Sequence, residues 1–117
     1  MISTRITRRL MDEDREHWLI HLMNFVDDFR YYKDMSALAE PYPRGDERMD
    51  AILASTAESL CDELGEEPPE WLLEAPPCRD PWFVSGVENF KAIALAESPL
   101  RFRVRTIFVM DDFLSRV

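Results

Sequence analysis

Eight prolines set against three glycines constrain this 117-residue chain more than any other feature. A β-sandwich or barrel needs a turn about every ten residues, and the glycines for such turns are missing. The prolines gather instead in short runs: Pro41-Tyr42-Pro43, Pro68-Pro69, Pro76-Pro77 with Pro81, and a single Pro99. Proline lacks a backbone donor and disfavours α geometry at the residue before it, so these runs mark helix ends and connectors. With 46% apolar residues, the chain has the size and content of one core. The expected fold is all-α. It is a compact bundle of three main helices with short proline-bounded helical turns and an arginine- and aromatic-rich C-terminal segment, with residues 1–117 as a single domain.

Trp18, Leu22, Phe25, Phe29 and Tyr32 step by four, three, four and three residues, one stripe that Leu19, Met23 and Val26 widen. This predicts a long first helix from about Thr4 to Lys33. Asp12, Glu13, Asp14 and Glu16 stand where carboxylates favour a helix start, so two helices broken near Met11 and Asp12 are the alternative. A short helical turn is expected around Asp34 to Glu40. The second helix has Asp46 as its cap and Gly65 as its stop, and carries the ladder Met49, Ile52, Leu53, Ala57, Leu60, Cys61 and Leu64. Pro69 suits the first position of a short helical turn, and Trp82 and Phe83 are expected against the core. Ser85-Gly86-Val87-Glu88 has the pattern of a capping box opening a third helix, about Gly86 to Glu97, that buries Val87, Phe90, Ile93 and Ala94. After Ser98-Pro99, alternating apolar residues and arginines fit a strand, but a lone strand has no partner in a helical chain. A short helix at about 99 to 104, an extended turn, and a last helical turn capped by Asp111 are preferred.

The net charge of −9 is unevenly spread. Residues 1–9 carry Arg5, Arg8 and Arg9; residues 101–117 carry Arg101, Arg103, Arg105 and Arg116 against Asp111 and Asp112. Subtracting this +3 and +2 leaves −14 for residues 10–100. So acidic a body repels phosphate backbones, and direct nucleic-acid binding is not expected. No stretch approaches the length of a membrane span, and the N-terminus turns acidic where a signal peptide needs its apolar run. Cys61 and Cys78 are too few for a disulfide framework and form no CxxC pair. A cytoplasmic protein with reduced thiols is expected, Cys61 lying on the second helix's apolar face and Cys78 more exposed in the proline connector.

Glu13, His17 and His21 would share one face of a continuous helix and are weak candidates for a metal site, or for a small helical enzyme or metal-binding protein. Half-buried histidines beside carboxylates explain the pattern more simply, and no second histidine motif accompanies them. Arg44-Gly45-Asp46 is a glycine turn with an aspartate cap. Phosphate loops, nucleophile elbows and paired-cysteine zinc spacings are missing, so no cofactor and no catalytic residue is assigned. Arg101, Phe102, Arg103, Arg105 and Phe108 remain as partner-binding candidates. Arginine forks grip carboxylates bidentately, either on the protein's own helices, tying down the C-terminus, or on a partner.

The motifs Gly45-Asp46-x-Arg48-x-Asp50-Ala51-x-Leu53-Ala54, Pro69-x-Trp71, Trp82-Phe83 and Ala94-x-Ala96-x-Ser98-Pro99-x-x-Phe102-Arg103-x-Arg105-x-Ile107-Phe108-Val109 resemble the C-terminal region of uncharacterised bacterial proteins. Those proteins often carry an N-terminal helix-turn-helix and are similar to antitoxin-like regulators encoded near nucleotidyltransferase-type toxins. Phe25-Val26-Asp27-Asp28-Phe29-Arg30 is similar to the segment preceding that region, so the resemblance spans most of the chain. Nothing before residue 12 is long enough for a helix-turn-helix, which leaves direct DNA reading in doubt. The resemblance implies a non-enzymatic protein-interaction module, antitoxin-like or accessory to a regulator, whose partner is a toxin-like enzyme. A DNA-associated regulator acting with a partner is the alternative, and the wide stripe of the first helix suggests a homodimer.

Overall fold

The computed structural model describes residues 1–115; Arg116 and Val117, the end of the basic tail, lie outside the described residues. Its axis is the helix with the strongest boundaries in the sequence. Asp46 Oδ1 accepts the Met49 N–H at 2.9 Å, and Gly65 closes the far end with a positive φ of 78°. Helix Glu47–Leu64 is buried along almost its whole length, polar positions Asp50, Ser55, Thr56 and Glu58 included. It is wrapped, rather than resting on a core by one face.

The first segment is two helices, which corrects the expected single one. Helix α1 spans Thr4–Glu13, a tight turn Arg15–His17 follows, and α2 spans Trp18–Tyr32; the central helix is α3. The chain leaves helical geometry at Asp14, with φ −129° and ψ 63°. A continuous helix could not do what these do, since α1 packs on α2 and both pack on α3. The stripe serves that packing through Leu22, Phe25, Val26 and Phe29, whereas Tyr32 is exposed. Arg8 ties α1 to α3: its Nε donates to Asp50 Oδ1 at 2.6 Å, and Asp50 Oδ2 accepts the Gly45 N–H at 2.9 Å. The expected turn after Asp34 is present as Met35–Leu38, with Asp34 accepting the Ser36 N–H.

Pro69 stands just before α4, Glu70–Leu73, rather than at its first position. Trp71 Nε1 there donates to the Leu38 carbonyl at 2.9 Å. The proline connector then supplies the strand partner that the sequence reading did not find. Strand β1, Trp82–Phe83, pairs in parallel with β2, Ile107–Phe108, Trp82 opposite Ile107. The fold is thus mostly helical with one short sheet, not all-α. Trp82 is buried as expected, and the Phe83 and Phe108 rings stack at 5.1 Å.

The expected third helix is much reduced. Ser85 Oγ accepts the Val87 N–H at 3.3 Å, so the capping box to Glu88 does not form. A turn Glu88–Phe90 leads into α5, Lys91–Glu97. Of the four residues expected to be buried, only Ala94 is; Val87, Phe90 and Ile93 are exposed, and α5 packs mainly on β2 and the preceding turn. Helix α6, Leu100–Arg103, agrees with the expected one, but residues 111–114 form turns rather than a last helical turn. No helix among the described residues is long and apolar enough to cross a membrane.

Candidate functional site

Arg101, Arg103 and Arg105 stand at alternate positions, and the end of α6 sends them three ways. Arg101, still helical, forks onto Asp62 of α3 through Nε and Nη2 at 2.9 and 3.0 Å. Arg103 turns back to the carbonyls of Ala96 and Ser98 at 3.1 and 3.0 Å. Arg105 enters the interior and is only 5% exposed. Both of its Nη atoms bond Glu58, Nη1 also reaches Ser55 Oγ, Nη2 the Leu72 carbonyl at 2.9 Å, and Nε the Ala75 carbonyl at 3.1 Å. Every edge of this guanidinium is engaged. Just beyond it, Thr106 adopts a positive φ of 58°, held by its hydroxyl donating to the Cys78 carbonyl at 2.7 Å.

Of the five partner-binding candidates, Phe102 and Arg105 are therefore interior, Arg101 and Arg103 hold their own chain, and Phe108 is half-buried. Ser98 fastens the segment further. Its Oγ accepts the Val109 N–H at 2.7 Å and lies 3.3 and 3.1 Å from the carbonyls of Ile107 and Val109.

Glu13, His17 and His21 do not share a face. The break at Asp14 parts Glu13 from the histidines, and Glu13 lies 3.8 Å from Arg9 instead. The two rings converge on Asp14: His17 Nδ1 is 2.9 Å from Oδ1 and His21 Nε2 is 2.9 Å from Oδ2. Those contacts, His17 first, hold the Asp14 carboxyl below the usual aspartate range. No group of three or more His, Cys, Asp or Glu side chains among the described residues is placed to hold a metal ion. Cys78 is buried, against expectation, as is Cys61. Burial pushes the Cys61 thiol up to about 11, the carboxylates of Asp62 and Glu58 adding to it, and burial likewise raises Cys78. Neither is an activated nucleophile.

What sequence reasoning missed is an apolar groove of about 390 Å³. Leu19, Val84, Ala94, Phe108, Met110 and Phe113 form most of its wall, contributed by α2, the end of β1, α5, β2 and the C-terminal turns. Ile20 beside Leu19, and Phe90, Ile93 and Leu95 beside Ala94, are exposed. The signal was present in Lys91–Glu97, whose apolar residues fall on every side of a helix too short to bury more than one of them. A larger cavity of about 760 Å³ between α2, α3 and α6 has a mixed apolar and charged lining, in which Arg30 pairs with Glu63 and Arg101 with Asp62.

Comparison with protein-family models, with curated proteins and with solved structures finds no match to this chain.

Proposed function

We propose that the protein is a non-enzymatic interaction module of the cytoplasm that receives an apolar segment of a partner protein in the groove between α2, α5 and the strand pair. The observation that carries this reading is the apolar wall of the groove, Leu19, Val84, Ala94, Phe108, Met110 and Phe113, of which Leu19 is itself 41% exposed. The occupant is an apolar segment flanked by basic residues. The charged residue in the groove wall is Asp112, and the whole chain is strongly acidic. The resemblance to antitoxin-like proteins makes a toxin-like enzyme the first partner to seek. A regulator reading DNA through its arginines is less well supported, because Arg8 and Arg105 are interior and Arg101 is held by Asp62.

The test is recovery of the tagged protein from its native cells, in parallel with a Leu19→Glu variant that places a charge in the groove wall. A stable partner that the wild type retains and the variant, folded by circular dichroism, releases is the expected result. Recovery of free monomer alone, a homodimer as the only complex, or a partner that Leu19→Glu retains, would overturn it.

A further inference from the structure

A third cavity, of about 480 Å³, opens against α1 and is lined by residues unlike those of the groove. Arg5, Arg8, Arg9 and Asp12 face it at helical spacings of three, four and seven from the first, opposite Glu40 and Pro43. Arg8 is 2% exposed, and beyond the bond from Nε to Asp50 its guanidinium is not satisfied. Asp12 Oδ1 lies 2.6 Å from Nη1, close enough for an ion pair but off the N–H directions, and neither Nη1 nor Nη2 has a hydrogen-bond partner. A buried donor left open in this way costs stability unless an acceptor reaches it.

We propose that this cavity binds a small organic monocarboxylate carrying an apolar group, with Arg8 as its anchor. A carboxylate presents two coplanar oxygens that match the edge of a guanidinium, which a single water does not. Arg5 and Arg9 can turn toward it because their present partners hold them weakly. The Arg5–Glu40 pair, at 3.1 Å, is exposed on both sides, and so is Arg9–Glu13 at 3.8 Å. A doubly charged ligand is disfavoured by Asp12 and Glu40 in the wall. Ser3 Oγ accepts the Ile6 N–H, which leaves its own O–H to donate, and Ile6 and Pro43 offer the apolar group a surface.

The whole chain, isotope-labelled, is titrated with benzoate, with benzamide as the neutral isostere and with inorganic phosphate as the doubly charged anion, and amide shifts are followed. Benzoate is expected to saturate, with shifts centred on residues 3–12 and 40–45, and the other two to bind at least about tenfold more weakly. Arg5→Gln with Arg9→Gln, both on the surface, is expected to weaken benzoate about fivefold at unchanged melting temperature. Arg8→Lys, which keeps the charge and loses the planar edge, is expected to abolish it. Should Arg8→Lys not fold, the surface double variant decides. Benzoate shifts that do not saturate, equal affinity for benzamide, preference for phosphate, or a folded surface double variant that binds benzoate as the wild type does would each overturn the assignment.

Discussion

Arg8 and Arg105 are both interior arginines on a buried carboxylate of α3, yet the fold completes one and leaves the other open. Around Arg105 the chain end of α4 brings the Leu72 and Ala75 carbonyls to the guanidinium, and Ser55 and Glu58 supply the rest. Around Arg8 the neighbours are carboxylates, Asp50 and Asp12, without a backbone carbonyl to finish the shell. Coulomb attraction holds both. Only the first also has its hydrogen bonds met, and that separates a structural pin from a group with capacity to spare.

The largest effect is expected at Glu58. Glu58→Ala strands the Arg105 charge in the interior and is predicted to lower stability by about 3–5 kcal/mol, measured by urea denaturation. Asp50→Ala is predicted to cost about 2 kcal/mol, because Arg8 keeps Asp12 beside it and borders a cavity that admits water. Equal losses in the two variants would break the comparison. Ser98→Ala is expected to fall next, at about 1–2 kcal/mol. It deprives the Val109 N–H of its acceptor and loosens the strand that follows Arg105 without touching the ion pair.

Asp46→Ala is the smallest of the series, about 1 kcal/mol for a lost helix cap. Burial alone would raise the Asp46 carboxyl, but the Met49 N–H and Arg15 outweigh it and hold the group below the usual range. A depressed folded-state value stabilises above the unfolded one and is lost as pH falls through it. The gap between wild type and Asp46→Ala should therefore persist at neutral pH and close below about pH 4, as denaturation midpoints across pH will show.

The parts of this fold that a local signal can specify were legible. Asp46, Gly65 and the ladder between them bound α3 to the residue, because cap, stop and period all act within a few positions. The acidic cluster from Asp12 to Glu16 announced a break, and the apolar stripe starts only beyond it at Trp18, but neither signal shows that the chain folds back at Asp14. The parallel pairing of Trp82 with Ile107, and of Arg105 with Glu58 47 positions away, rests on partners no local window contains. A buried arginine and a solvated one are the same letter, and Arg101, Arg103 and Arg105 read as one basic cluster until α6 ends between them. The groove was hidden for the opposite reason: the apolar residues of α5 look like core, and only the shortness of the helix leaves them outside.

The closing strap from Ser98 to Val109 also sets a schedule for synthesis. Phe102, Ile107 and Val109 belong to the same apolar core as α3 but leave the ribosome well after it. Until they emerge and pack, Glu58 waits without its cation and the flank of α3 awaiting α6 is bare. The nascent chain is then at its stickiest and depends on chaperones for cover. The core shuts only once Phe102, Ile107 and Val109 have cleared the ribosome and packed on α3.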